Sequence, residues 1–365
     1  MTEHATQNQY RPASVTPPGD SIADLLEERG LRQTELATRM DVTPKFVNEL
    51  IGGKVTVTPV TALALEKALD VPANFWLARD ARYQEALARQ KSRAEWVANV
   101  RWLDELPLYD MRKLKWIQDR EDRASYVEEC LSFFGVASVG AWRQQYVEQT
   151  IASAAYRRSE KVKRDPGSVA AWLRAGELLA ANIRCAPFDR ERFLQALAKA
   201  RQLTLETDPT KFVPALIDLF ASCGVAVVIV RAPKGCPING AVRWLSAEKA
   251  LVQLSFRYLR NDTFWFTFVH ECGHIALHGK KMLFLENDER TGDEEDEANQ
   301  FAADRLIAPN EWARFQQPLL SESAICVFAE RVGIAPGIVL GRLQNEKRLP
   351  WSRLNHLKAR YVWKD

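Results

Sequence analysis

Residues 268–279 read FVHECGHIALHG and place His270, Glu271 and His274 in the order H-E-x-x-H. An α-helix turns once in about 3.6 residues, so the two imidazoles lie one above the other on one face. Two ring nitrogens at that spacing can bind one Zn²⁺, and Glu271 can reach a water on the metal. A buried helix with incidental histidines is the alternative. Three of the five histidines fall within this stretch, which favours a metal site.

A second predicted helix, which follows an acidic run, offers a third ligand. Catalytic zinc generally takes three protein ligands and keeps one position for water. Glu295 is the predicted third ligand, and Asn299, one turn further on, is placed to accept a hydrogen bond from a ligating imidazole. Other carboxylates of the run stay open as alternatives, because the register is uncertain: Asp293, Glu294 and Glu297.

Two residues near the motif are predicted not to bind the metal. His278 lies eight residues after His270 and has drifted about 80° around the helix. It is therefore expected to cap the helix end or to support a ligand in the second shell. Cys272 is expected to point away from the metal and to pack.

Composition indicates a globular protein of two or three domains. The chain has 365 residues, of which 47% are hydrophobic and 27% charged, and a formal net charge of +3. That charge is too small to argue for nucleic acid or a membrane by itself. We see no apolar run near the roughly 18 residues that span a bilayer, and no secretory signal. Six cysteines without a C-x-x-C pair indicate reduced thiols and a cytoplasmic location.

Five amphipathic segments in residues 19–80 predict a helix-turn-helix domain after a flexible lead-in at 1–18. Ser21 is expected to cap the first helix and Thr43 the third, with Asp41 in a left-handed conformation between the second and third. The third helix would lie in the major groove. The predicted DNA contacts are Thr43, Lys45 and Asn48 at base edges, and Gln33, Lys54 and Thr56 at phosphates.

A helical bundle that docks another protein is the alternative for this region, since residues 20–60 carry five basic and seven acidic side chains. Residues 32–76, RQTELATRMDVTPKFVNELIGGKVTVTPVTALALEKALDVPANFW, nevertheless resemble the Xre-type helix-turn-helix of HigA antitoxins. The resemblance covers about residues 17–90. It implies a homodimeric repressor of its own toxin–antitoxin operon, with double-stranded operator DNA and a cognate toxin as partners.

The rest of the chain is predicted to be an α+β, mostly helical structure. Residues 81–205 are expected to form a helical connector, 206–315 a peptidase domain, and 316–365 a C-terminal helical extension packed on it. Three short strands are expected to form a small antiparallel sheet beside the H-E-x-x-H helix, with an edge on which an extended peptide could lie. These strands are Val225–Val230, Ala241–Trp244 and Ala250–Leu254.

Residues 210–310 resemble the ImmA/IrrE family of metallopeptidases. The matching pieces are FWFTFVHECGHIALH, the E-x-x-A-N-Q-F-A helix and the sequence LIAP at 306–309. The resemblance implies a gluzincin-like domain with Zn²⁺ on His270, His274 and Glu295, and with Glu271 catalytic. It also implies a protein substrate, a helix-turn-helix repressor or antitoxin that is cleaved in response to stress or DNA damage.

Two functions stay open. One is a DNA-binding regulator with an active zinc metalloendopeptidase domain, and the other is a HigA-like autorepressor whose zinc domain senses or binds a partner. A fourth zinc position that is open to water favours the enzyme. A purely structural zinc is disfavoured, because such sites usually contain cysteine. The sequence does not identify a second group to stabilise the carbonyl oxygen; the nearest in sequence are Arg257, Tyr258 and Arg305.

Overall fold

A computed structural model describes residues 16–148, 165–278, 284–286, 293–315 and 320–362, with residues 284–286 described by their backbone alone. Most of the predicted lead-in, residues 1–15, lies outside the described residues. The chain forms two compact units, Met1–Ala98 and Asn99–Asp365. Its fold class is α+β and mostly helical, as predicted.

The N-terminal unit is a cluster of helices. Its described helices are α1 (Pro18–Glu28), α2 (Gln33–Arg39), α3 (Pro44–Ile51), α4 (Pro59–Leu69) and α5 (Ala73–Ala98). Threonine hydroxyls cap two of them: Thr43 accepts a hydrogen bond from Phe46 N, and Thr58 accepts one from Thr61 N, each at 3.2 Å. Capping satisfies amides that have no partner within the helix. The apolar faces meet in a core that includes Ile22, Leu36, Val47, Leu50 and Trp76.

Two local predictions have different outcomes in this unit. Asp41 has a φ of 55°, which confirms the left-handed turn before α3. The prediction that Ser21 caps the first helix is wrong, because α1 begins at Pro18, where the proline ring already fixes a helical φ. Ser21 instead accepts a hydrogen bond from Arg79 Nε at 3.0 Å.

The helix α5 is longer than expected. It runs for 26 residues, so the predicted domain boundary at residues 80 and 81 falls inside it. No glycine or proline interrupts residues 73–98, and strong helix formers such as Ala, Leu, Glu, Gln and Arg dominate the stretch.

The second unit contains a small mixed sheet among helices. Its strands are β1 (Val225–Ile229), β2 (Gly240–Ser246), β3 (Lys249–Leu254) and β4 (Phe284–Glu286), in the order β1-β3-β2-β4. Its described helical segments are Val100–Glu105, Leu108–Lys113, Arg123–Phe134, Val139–Trp142, Arg143–Glu148, Pro166–Ala181, Arg190–Leu203, Pro209–Ala221, Asn261–Leu277, Asp293–Leu306, Pro309–Arg314, Glu322–Val332, Pro336–Asn345 and Asn355–Leu357.

The sheet is not wholly antiparallel, which corrects the prediction on that point. The strands β1 and β2 run antiparallel but are not neighbours in the sheet, because β3 lies between them. As a result β3 pairs parallel to β1 and antiparallel to β2. The strand β4, which the sequence did not predict, adds to the outer side of β2.

Helices cover both faces of this sheet. The helix that carries the H-E-x-x-H motif, Asn261–Leu277, shares one buried core with alternate strand residues such as Val242 and Val252, and we call it the motif helix. Helix Pro166–Ala181 lies on the other face, where Gln253 Nε2 donates a hydrogen bond to Trp172 O at 2.7 Å. Part of the predicted connector therefore forms a layer of the sheet domain.

The C-terminal extension is anchored to the start of the motif helix. Asn261 N donates to Ala359 O at 3.0 Å, and Tyr361 N donates to Leu259 O at 2.7 Å. Lys358 Nζ lies 2.5 Å from Asp262 Oδ2, and both side chains are buried. Since an ion pair buried from water is costly to break, it holds the extension in one register.

Among the described residues, no single helix is long and apolar enough to cross a membrane. Helices Glu322–Val332 and Pro336–Asn345 reach that length and composition only as a pair, which is bent by 115°.

We expect Gly167→Ala to destabilise the second unit. A Cβ at Gly167 would lie 1.8 Å from the carbonyl oxygen of Glu105, so the backbone must shift. Overpacking of this kind costs about 1–3 kcal/mol or more. Urea unfolding followed by circular dichroism measures the effect.

Gly140→Ala is the matched control for that experiment, because a Cβ there meets only Ser138 Oγ at 3.7 Å. It should leave the unfolding midpoint unchanged or raise it slightly. Equal midpoints for the two variants would contradict the close contact at Gly167.

Candidate functional sites

Two helices bring the predicted metal ligands together. The motif helix supplies His270 and His274, and helix Asp293–Leu306, which we call the carboxylate helix, supplies Glu295. The Nε2 atoms of the two histidines are 3.1 Å apart. Glu295 Oε2 lies 3.2 Å from His270 Nε2, and its Oε1 lies 3.5 Å from His274 Nε2. All three residues are buried, with exposed fractions of 0, 1 and 5%.

The separations between these donor atoms fit one metal ion. A tetrahedral zinc with ligand distances of about 2.0–2.1 Å has ligand–ligand separations of about 3.3–3.4 Å. The two histidine Nε2 atoms are 3.1 Å apart, and the Glu295 carboxylate approaches one of them through each of its oxygens, at 3.2 and 3.5 Å. A buried carboxylate facing two ring nitrogens also needs positive charge nearby. The donor set of two imidazoles and one carboxylate is typical of catalytic zinc sites.

Asn299 favours the tautomer of His270 that a bound metal ion would require. His270 Nδ1 lies 3.1 Å from Asn299 Oδ1. An amide oxygen can only accept a hydrogen bond, so Nδ1 carries the proton and the Nε2 lone pair faces the other ligands.

The second histidine is held by a chain of hydrogen bonds. His274 Nδ1 is 2.9 Å from His278 Nδ1, and His278 Nε2 is 3.2 Å from Glu297 Oε2. A carboxylate accepts the Nε2 proton of His278, whose Nδ1 can then accept the Nδ1 proton of His274. That arrangement leaves the His274 Nε2 lone pair unprotonated and facing the other candidate ligands. His278 also ends the motif helix, with its backbone N donating to His274 O at 3.1 Å.

The structure selects one carboxylate from the acidic run. Of the described residues, His270, His274 and Glu295 form the group that can hold an ion. Asp293 is exposed and Glu294 half-buried, while Glu297 pairs with His278. The alternatives to Glu295 therefore do not face the two imidazoles.

Glu271 is fully buried, directly follows the candidate ligand His270 in sequence and lies against the start of β2. A Cβ at Gly240 would lie only 2.4 Å from Glu271 Oε1 and 2.8 Å from Thr267 Cγ2. Gly240 thus leaves room for the carboxylate, and sequence reasoning missed this residue. Its only sequence signal is a glycine at the start of a strand.

Cys272 is buried in the core shared with the sheet, as expected for a side chain that points away from the site. Burial raises the pKa of the Cys272 thiol well above its ordinary value. Because a metal binds the thiolate, a thiol held in its protonated form is a poor ligand.

A cleft of about 840 Å³ lies beside this centre. Phe266, Thr267 and Asn299 line it, and the Phe266 ring stacks on His270 with 6.3 Å between centroids. The cleft therefore reaches the residues that support the candidate metal ligands.

One of the three residues considered for stabilising a carbonyl oxygen lines this cleft. That residue is Tyr258. Arg257 NH1 donates to Pro237 O at 2.9 Å, and the Arg305 guanidinium lies over the Phe301 ring at 5.1 Å. Both arginines thus have other contacts.

The predicted DNA-contacting residues are all exposed in the N-terminal unit: Gln33, Thr43, Lys45, Asn48, Lys54 and Thr56. Lys45 and Asn48 lie on the outer face of α3, while Val47 and Leu50 on its inner face are buried. Lys45 Nζ is 3.8 Å from Glu49 Oε1, an exposed pair that contributes little to stability. The Thr43 hydroxyl is already engaged as the cap of α3.

Comparison with known proteins identifies this unit. Residues 22–76 match the family of helix-turn-helix domains described as HTH_3. The chain is also 32% identical over 60 residues to an uncharacterized HTH-type transcriptional regulator, YddM, of Escherichia coli K12. That match covers 16% of this chain and 64% of the relative's length. The N-terminal unit therefore contains an Xre-type helix-turn-helix domain.

We expect Asn299→Ala to weaken zinc binding by roughly 10–100-fold, because His270 would lose the acceptor that fixes its tautomer. Competition with a chromophoric zinc chelator measures the affinity. Gln300→Ala is the matched control, since Gln300 is the exposed neighbour and donates to Asp304 on its own helix. Equal zinc affinity for the two variants would refute the role given to Asn299.

Proposed function

We propose that this chain is a DNA-binding transcriptional regulator whose second unit is a zinc metalloendopeptidase. The observation that carries the enzymatic part is the buried group of His270, His274 and Glu295, whose donor atoms lie 3.1–3.5 Å apart, with the buried Glu271 beside it.

Zinc on these three residues would supply a Lewis acid that polarises a peptide carbonyl and lowers the pKa of water toward about 7. Glu271 follows His270 directly in the chain. It would accept the proton of the attacking water and pass it to the departing amine. Asn299 and His278 would keep both imidazoles with Nε2 unprotonated throughout.

The residues described around this site favour a catalytic zinc site rather than a structural one. A structural zinc is held by four protein ligands, usually including cysteine. In the described part of the chain no fourth histidine, cysteine or acidic residue joins the group of three. A zinc ion held by these three residues would keep a position for water, as the enzyme proposal requires.

An extended peptide could bind along the sheet edge near this site. The strand β4 pairs with Gly240–Val242 of β2 through one side of its backbone. Within the described residues its other side is the edge of the sheet. Addition of a substrate strand to this edge is a hypothesis. The peptide would lie next to β4, and β4 would separate it from Gly240 and Glu271.

The substrate that we propose is a helix-turn-helix repressor or an antitoxin-like protein. This proposal rests on the resemblance of residues 210–310 to ImmA/IrrE peptidases and on the presence of a helix-turn-helix domain in the same chain. The N-terminal unit would bind an operator as a homodimer, and cleavage would switch transcription in a stress, phage or toxin–antitoxin response.

The alternative is a HigA-like autorepressor whose zinc domain binds a partner, such as a cognate toxin, with little turnover. The match of residues 22–76 to helix-turn-helix domains agrees with either function. Burying the Glu271 carboxylate is costly, and a catalytic role as general base would account for that cost better than a sensor role.

Glu271→Gln should retain one zinc per chain and lose cleavage by roughly 10²–10⁴-fold, because the amide cannot accept a proton. The zinc-loaded protein is incubated with candidate helix-turn-helix repressors and with itself, and fragments are identified by mass spectrometry. Zinc content is measured by elemental analysis.

Glu330→Gln, at an exposed position of helix Glu322–Val332, is the control and should cleave like the wild type. Full cleavage by Glu271→Gln would reject the base. Absence of any cleavage by the zinc-loaded wild type would favour the autorepressor.

For DNA binding, Lys54→Ala should weaken binding to all sequences and reduce the slope of log K against log salt by about 0.9, as expected for one phosphate contact. Asn48→Ala should instead lose roughly 1–3 kcal/mol of discrimination at one base pair. The duplex is selected by the protein from a random library, and binding is followed by fluorescence anisotropy.

Lys67→Ala is the matched control, since Lys67 is exposed near the end of α4 and outside the predicted contact surface. If all three variants change affinity and salt slope equally, the assigned recognition surface is wrong.

A further inference from the structure

We infer that Trp351 is a specificity-determining residue, which binds an apolar side chain of the polypeptide that occupies the 840 Å³ cleft. The inference rests on the proposed peptidase function and deepens it, by assigning a recognition role to the C-terminal extension. Trp351 lines the same cleft as Phe266 and Asn299, which contact the candidate ligand His270.

Trp351 is an exposed aromatic residue. Its exposed fraction is 61%, although a side chain of this size is usually buried to a large extent. The buried Lys358 ammonium lies 5.1 Å from the centroid of the Trp351 ring. Lys358 in turn forms an ion pair with Asp262 of the motif helix. Through Lys358, the ring is thus linked to the helix that carries the candidate metal ligands, while much of the ring surface faces solvent.

The backbone that carries Trp351 is fixed. Gln344, which is fully buried, places its Nε2 3.0 Å from Arg353 O and 3.3 Å from Pro350 O. Asn355 Nδ2 donates to Trp351 O at 2.7 Å. An exposed tryptophan on a turn that is already ordered loses little conformational entropy when it binds a partner. Tryptophan is accordingly enriched among residues that dominate binding energy.

The charges of the cleft favour a peptide over a nucleic acid or an anionic ligand. Its ionisable lining residues balance, with three basic and three acidic side chains: Arg260, Arg342, Lys358, Asp262, Asp296 and Glu346. Two basic members are already paired, Lys358 with Asp262 at 2.5 Å and Arg342 with Glu346 at 3.0 Å. A nucleic acid requires an excess of positive charge.

The apolar part of the lining matches a peptide side chain. Besides Trp351, the half-buried Phe266 lines the cleft, while the other large apolar lining residues, Leu306, Ile307 and Ile338, are buried. The exposed amides of the same lining, Gln300 and Asn345, can bind a peptide backbone. Apolar walls with a few polar groups are typical of sites that orient a ligand by its side chains.

The test measures binding without turnover. The probe is a fluorescein-labelled positional-scanning library of short blocked peptides, and the protein is the full-length, zinc-loaded Glu271→Gln variant. Anisotropy should show a preference for an apolar residue at one library position. Adding Trp351→Ala should weaken binding of the preferred peptides by about tenfold or more and remove that preference. Trp351→Phe should retain most of the affinity, because an aromatic surface remains.

Tyr109→Ala is the matched control, since Tyr109 is an aromatic residue with an exposed fraction of 73% that does not line the cleft. The variant with Tyr109→Ala should bind the preferred peptides with an affinity within about twofold of that of the Glu271→Gln protein. Thermal melting checks that each variant is folded. Unchanged affinity and preference in Trp351→Ala, or no library binding at all, would overturn the inference. A Trp351-dependent preference together with no cleavage by the wild type would remove only the peptidase proposal.

Discussion

The site depends on the close approach of two helices. The motif helix and the carboxylate helix meet where Gly273 faces Ala298, and a Cβ on Gly273 would lie 3.2 Å from Ala298 Cα. This pair of small residues allows Glu295 to reach within 3.5 Å of both imidazoles. Burying a carboxylate is costly without a compensating cation. The same contact that packs the helices therefore brings together a group of side chains that could hold a metal ion.

Residues around the ligands restrict what each can do. Asn299 and the pair of His278 and Glu297 determine which ring nitrogen carries a proton on each histidine. Gly240 provides the space that the Glu271 carboxylate fills. Because these contacts come from the carboxylate helix, from the end of the motif helix and from the sheet, the site requires the whole second unit to be folded.

The C-terminal extension is fixed to the motif helix and borders the cleft. Its ion pair between Lys358 and Asp262 and its backbone bonds to Leu259 and Asn261 fix it to the first turn of the motif helix. The cleft beside the metal site is consequently bounded by segments far apart in sequence. Recognition of a polypeptide and chemistry on it would then be coupled through one rigid helix.

Local sequence determined much of this protein. The Thr43 cap, the left-handed Asp41 and the four-residue spacing of His270 and His274 depend on neighbours in the chain. They were therefore readable without a structure. The sequence favoured Glu295 as the third ligand and left Asp293, Glu294 and Glu297 open. Tertiary structure alone decided that β3 enters between β1 and β2 and that helix Pro166–Ala181 covers the sheet. These outcomes depend on contacts between distant segments, for which neither periodicity nor spacing carries a signal.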